Sequence, residues 1–379
     1  MLPYYLILLS VFCLGIVEQL QKNRTNKLLI RFILLIILII TISGAISRGD
    51  YNSYVKIFNN INLENPNPVF EVAFYWMMVA FKYCLFEPFS VFFAASSIAI
   101  LIKFYTLYKI KRKNLYDINY GYYFLIYFSS FIVYQELGSI RFAIACSFFF
   151  LATVYLNNRN FFKYYCFIGI GFLFHNSLIA AIILPFLMKR NIFLFLFMSV
   201  SIGFILIFNR ENPIFLEFAA QSHYLSKIIN YTRFGTIFIS YQLIKKIFLL
   251  IVFNILYKKE ITEKKSYAYT CWIISIFSFS IYSIFMISQL TASRYLLMFG
   301  ICEPIMIIMI LNKLTKNLRI FSVFFILIYV VISYKHGLSA NNNIINLYLP
   351  YKNYFIGDTQ PYKDVDELKK IIEGKNNKL

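Results

Sequence analysis

Apolar runs of about twenty residues, the length an α-helix needs to cross about 30 Å of hydrocarbon, follow one another along this chain from residue 2 onward. No other feature limits the fold so strongly. A spanning segment must satisfy its backbone polar groups internally, so runs of this kind fold as helices rather than as open strands. The composition agrees: 60% of residues are hydrophobic and 14% are charged, which excludes a soluble globular enzyme. The expected fold class is all-α, a polytopic membrane helix bundle of about twelve crossings, in a single integral membrane domain over residues 1–379.

Lysine and arginine outnumber aspartate and glutamate by 37 to 17, a net charge of +20. The basic residues fall in short clusters between apolar runs. That pattern matches the positive-inside bias of membrane proteins rather than a polyanion groove, so no nucleic acid partner is expected. Lys22, Arg24, Lys27 and Arg31 follow the first run, 2–20, and placing them in the cytoplasm puts the N-terminus outside. With no basic leader and no small-residue cleavage site, that run reads as a retained span.

Two later clusters constrain the topology: Lys109, Lys111, Arg112 and Lys113 after the run 88–108, and Lys189 and Arg190 after 164–187. To keep both inside, 71–86 is read as a re-entrant or tilted partial helix. For the same reason 164–187 is read as two short helices meeting near His175, an allowed way to place polar backbone at depth. Two larger outer-face segments remain. In 47–70, Tyr51, Tyr54, Val55 and Phe58 make one face of an amphipathic helix. In 210–235, Asn212-Pro213 starts another helix. The stretch 335–379 reads as an outer-face tail. The six cysteines stand singly, without metal or disulfide spacing.

Ionisable residues near span mouths are the candidates for a site, because a charge at the bilayer centre costs about 2.5–3.5 kcal/mol even on insertion scales. They are Arg48, Asp50, Glu71, Glu136, Arg141, His175, Arg210 and Arg294. An arginine at a span mouth either holds an anionic group with its planar fork or snorkels to the interface. Arg141 in GSIRFAIA and Arg294 in TASRYLL stand among small residues, which favours close packing and an inward view. Asp50 is a base or sugar ligand, or else the N-cap of the helix starting at Tyr51. Glu71 divides the same way, with the helix dipole as its competing reason. His175, beside Asn176 and Ser177 in an apolar run, reads as functional, with a bond to a neighbouring carbonyl as the plain alternative. Lys245 and Lys246 either face a cavity or mark a misplaced boundary. No P-loop, HExxH or Gly-x-Ser-x-Gly pattern is present. No cofactor and no metal are expected, and an Arg-rich membrane site of this kind suits a substrate that arrives already activated.

Taken together, SRGDYNSYVKIF, a helix led by Glu71, GSIRFAIACSFFFLATVYL, FHNSLIAA, SRYLLMFG and Pro350-Tyr351 resemble, in order and spacing, the EpsG-like branch of Wzy-type polysaccharide (O-antigen) polymerases. The likeness covers most of the chain. Phe142 departs from it, standing where the family often has Gln after the arginine, and this removes a sugar or phosphate contact. The resemblance implies a membrane glycosyltransferase at the outer face of the bacterial cytoplasmic (inner) membrane. It implies that a growing glycan on undecaprenyl pyrophosphate is moved onto the next lipid-linked repeat unit, in O-antigen, capsule or exopolysaccharide synthesis. A chain-length regulator is a candidate partner. Under this reading Arg141 and Arg294 hold pyrophosphate, and His175, Asp50 or Glu71 supplies the base. Arg48, Arg210, Tyr51 and Tyr54 then bind substrate, with the two outer segments capping the cavity. The rivals are a flippase for the same lipid-linked oligosaccharide, an O-antigen ligase and a membrane acyltransferase. A flippase should carry two related halves, and none is visible in the sequence.

Overall fold

The computed structural model describes residues 2–46, 49–62, 71–84, 86–112, 116–189, 192–208, 241–264, 266–314, 316–339 and 351–357. Among them every long element is helical, and the β contact present is an isolated bridge between Ala45 and Asn353. The helices are α1 (Leu2–Leu20), α2 (Arg24–Leu38, continued as a π-helical turn Ile39–Ser43), α3 (Tyr51–Asn60), α4 (Val72–Tyr83), α5 (Pro88–Arg112) and α6 (Tyr120–Ser130). They continue as α7 (Ile140–Asn157), α8 (Phe161–Phe172), a 3-10 helix (Asn176–Ile183) running into α9 (Leu184–Leu187), and α10 (Ile192–Phe208). After residues outside the description come α11 (Tyr241–Leu256), α12 (Lys258–Thr262), α13 (Tyr267–Ile284), α14 (Gln289–Phe299), α15 (Glu303–Lys313) and α16 (Lys316–Ser339).

This is a multi-pass membrane protein, and of the about twelve crossings expected fewer are seen among the described residues. Among the described residues six segments are long and apolar enough to span: α1, α2 with its π turn, α5, α7, α13, and α14 joined to α15. The reason lies in where helices end. Hydropathy registers apolar length, whereas α6 stops after 11 residues at a turn, and α8 has only 12, about 18 Å at 1.5 Å per residue. The tail also begins later than expected, since α16 continues through residues 335–339. The segment 210–235, with Arg48, Arg210 and Pro350, lies outside the described residues.

Two helices form the centre. In α7 and α13, 83% and 89% of the spanning window is buried, against 22% for α2, so the first two serve as core and α2 faces outward. Residues all around α7 are buried, the pattern of a core helix, and both α5 and α8 pack against it. At one end of the bundle the basic clusters gather and are tied down. Arg31 pairs with Glu18 at 2.6 Å, Glu18 also accepts the Tyr120 N–H at 2.8 Å, and Lys111 pairs with Asp117 at 2.6 Å. Lys313 pairs with Glu260 at 3.0 Å across α15 and α12.

The opposite end is built from short elements. As expected for a partial helix, α4 has 12 residues, too few to cross. Lys82 near its C-terminus donates to the Phe58, Asn59 and Ile61 carbonyls at 2.8–3.0 Å. Those carbonyls close α3, where a helix leaves acceptors without intrahelical partners. The 164–187 region is indeed two short helices meeting at His175, with α8 beginning earlier, at Phe161. The chain at 351–357 covers the end of α2. Asn353 Nδ2 and Tyr351 Oη donate to the Ile40 and Thr41 carbonyls at 2.8 and 2.7 Å, within the turn where α2 widens into π geometry.

Candidate functional site

At that end, the 131–139 turn, α3, α4, α7 and the tip of the α8/3-10 hairpin meet. Backbone bonds fix them to one another before any side chain is considered. The Gly49 N–H donates to the Leu137 carbonyl at 2.9 Å, holding the start of α3 against the turn. The Ala73 N–H, one of the unpaired donors of the first turn of α4, donates to the Leu173 carbonyl at 3.0 Å.

Asp50 and Glu71 stand at the N-cap positions of α3 and α4, yet neither side chain makes a capping bond. Capping therefore does not account for them. Glu71 forms a close ion pair with Arg141 through Oε2, and its Oε1 accepts the Asn176 N–H at 3.4 Å. Arg141, in the first turn of α7, also donates through Nε to Tyr54 Oη at 2.9 Å. Tyr54 in turn donates to Asp50 Oδ2 at 3.3 Å, and Ser139 hydrogen-bonds the same carboxyl group. Burial pushes the Tyr54 phenol up to about 12, so at neutral pH it keeps its proton and serves as the relay between guanidinium and carboxylate. Burial also raises the Asp50 carboxyl above its ordinary 3.8, against the opposing pull of Tyr54, Arg141, Arg294 and Ser139.

His175 caps the 3-10 helix, its Nδ1 accepting the Ser177 N–H at 3.3 Å. This satisfies the ring by an amide donor rather than a carbonyl. A neutral imidazole with an accepting Nδ1 carries its proton on Nε2, so His175 presents a donor to the site. Phe142 meets the ring edge-on at 5.2 Å between centroids. Arg294, on α14, is exposed and makes no ion pair among the described residues. It is near enough to act electrostatically on both Asp50 and His175, as Arg141 does. Ser177 links the hairpin to α14 by a hydrogen bond to Tyr295.

The structure thus brings Asp50, Tyr54, Glu71, Arg141, His175 and Arg294 together. Tyr51 it does not: the ring is 8% exposed and stacks on Phe92 at 4.6 Å, so it packs α3 onto α5 instead of facing a ligand. Glu136 is likewise drawn inward, fully buried against Lys103 at 2.7 Å. Sequence reasoning missed Lys103 and Ser139. The signal for Lys103 was a lone cation mid-run in SSIAILIKFY; Ser139 carried none beyond its place before α7. Lys245 and Lys246 turn toward Glu303, at 3.8 and 2.7 Å. No cluster of three or more His, Cys, Asp or Glu side chains able to hold a metal occurs among the described residues, and all six cysteines are free.

A family model described as the EpsG family matches residues 26–353. No curated protein and no solved structure matches the chain.

Proposed function

The chain belongs to the EpsG family, and we propose that it joins lipid-linked oligosaccharide repeat units, moving a glycan from undecaprenyl pyrophosphate onto the next carrier-linked unit. Membership supports a Wzy-type polysaccharide polymerase role in a membrane-embedded enzyme. The observation that carries the finer reading is the convergence of two guanidinium groups, Arg141 and Arg294, on Asp50 and His175.

The parts then divide as follows. Arg294, exposed and without an ion-pair partner among the described residues, meets the pyrophosphate first. Arg141, held in place by Glu71 and Tyr54, supplies the second positive charge. As the bond from the anomeric carbon to the phosphate oxygen breaks, both stabilise the charge that collects on the leaving carrier pyrophosphate. The acceptor hydroxyl oxygen attacks the anomeric carbon, which passes through an oxocarbenium-like state. Asp50 takes the hydroxyl proton, because burial makes its carboxylate a stronger base than a solvent-exposed one. Glu71 is unsuited to that task, being committed to Arg141. His175 donates from Nε2 to a substrate oxygen.

Orientation follows from the basic clusters. They gather at the end away from the site and face the cytoplasm, so the site opens on the outer face of the cytoplasmic membrane. Glycan analysis tests this in a deletion strain complemented with wild type, Arg141→Ala or His175→Ala at matched protein levels. A polymerase predicts that the mutants export single repeat units and lose the ladder. Units held on the inner leaflet, with nothing exported, would favour a flippase and contradict the proposal.

A further inference from the structure

Below the candidate site lies a second polar assembly that the proposed chemistry does not use. Lys103 on α5 is completely buried; its Nζ lies 2.7 Å from Glu136 Oε1 and 2.6 Å from Ser147 Oγ on α7. The Tyr127 hydroxyl, on α6, lies 2.8 Å from Glu136 Oε2 and 2.5 Å from Gln135 Oε1. Gln135 Nε2 then donates to the Leu297 carbonyl of α14 at 3.4 Å. The adjacent carbonyl, Leu296, accepts from Lys246 Nζ and Ser278 Oγ, both at 3.4 Å, and Lys246 pairs with Glu303 at 2.7 Å. A hydrogen-bonded seam thus runs from α5 and α7 through α6 to α14, α11 and α15.

Buried ion pairs add little net stability, since desolvation offsets their attraction, and ionisable residues inside a membrane bundle mark function by default. The location of this seam suggests what it does. Gln135 and Glu136 belong to the 131–139 turn, whose Leu137 carbonyl and Ser139 side chain hold Gly49 and Asp50. That turn leads directly into Arg141. Leu296 and Leu297 follow Arg294 by less than one helical turn.

The geometry points to Gln135 as a positioning residue that holds α14, and with it Arg294, in register with the turn and helix carrying Asp50 and Arg141. This rests on the proposed reading of the two arginines as a pyrophosphate clamp. Gln135 is the informative position because it joins the two halves of the seam while carrying no charge. Gln135→Leu leaves both ion pairs intact, and Gln135→Met serves if the leucine variant does not accumulate.

The test is a double-mutant cycle on full-length protein in nanodiscs, with inorganic pyrophosphate as the probe, measured by titration calorimetry. Gln135→Leu should weaken binding about tenfold in the wild-type background, a size ordinary for coupled sites, and less than twofold once Arg294→Ala is present. An equal loss in both backgrounds, or none in the wild type, overturns the inference. So does a wild type that binds no pyrophosphate. Failure of the polymerase reading has a separate signature: a wild type that binds pyrophosphate but joins no carrier-linked units.

Discussion

Arg141 is the residue on which the site turns, because it is half-buried and bonded on both sides. Glu71 takes one edge of the guanidinium and Tyr54 the Nε. A lysine keeps the charge but not this fork. Arg141→Lys should therefore retain protein levels and still lose most transfer, while Arg141→Ala lowers kcat by about 10²–10³, the loss typical of one transition-state donor. Single-turnover kinetics on purified protein separates the two effects. The Asp50 assignment carries its own pH signature. Burial raises the carboxyl, and the Tyr54 hydrogen bond is the largest force holding it back. A base works only when deprotonated, so activity falls on the acid side as pH drops through that value. Removing the Tyr54 hydroxyl favours the protonated form and moves the acid limb upward. The pH–rate profile of Tyr54→Phe should show this shift; an unmoved limb would remove Asp50 from the base position.

Individual helices show which parts of the fold the sequence reveals and which it hides. The partial helix at 71–86 and the broken hairpin at 164–187 were legible because charge parity allowed few other arrangements. Arg141, Arg294, Asp50, Glu71 and His175 were legible as candidates for a related reason, as ionisable groups in or near the mouths of apolar runs. The pairings were not. Nothing in the local sequence says that Glu71 reaches Arg141, 70 residues away, or that Glu136 turns inward to Lys103, because these are tertiary contacts between helices. Helix length also escaped, since the early ends of α6 and α8 leave hydropathy almost unchanged.

Close helix contacts give a sharper test at this scale. At the α1/α6 crossing a Cβ on Gly121 would run into the Gly15 backbone, whereas a Cβ on Gly169 in α8 meets nothing within 4 Å. Gly121→Ala should cost about 1–3 kcal/mol through overpacking, and Gly169→Ala should be neutral. Thermal unfolding in detergent compares them.

As a whole, the molecule is a bundle with two unlike ends. One collects lysines and arginines and closes them with Glu18, Asp117 and Glu260; the other assembles a mixed-charge site among short helices. Impermeant thiol labelling in intact cells checks the orientation. In a background without native cysteines, Lys352→Cys should react from outside, and Lys27→Cys only after lysis.

The most direct test of the central claim is reconstitution. Purified protein in nanodiscs is given a single synthetic repeat unit on undecaprenyl pyrophosphate, and products are followed by mass spectrometry together with released carrier. The account predicts glycans of two and more repeat units, one undecaprenyl pyrophosphate freed for each linkage formed, and loss of both with Arg141→Ala. Full-length protein that binds the carrier but leaves every unit single, or linkage unaffected by Arg141→Ala, would contradict it.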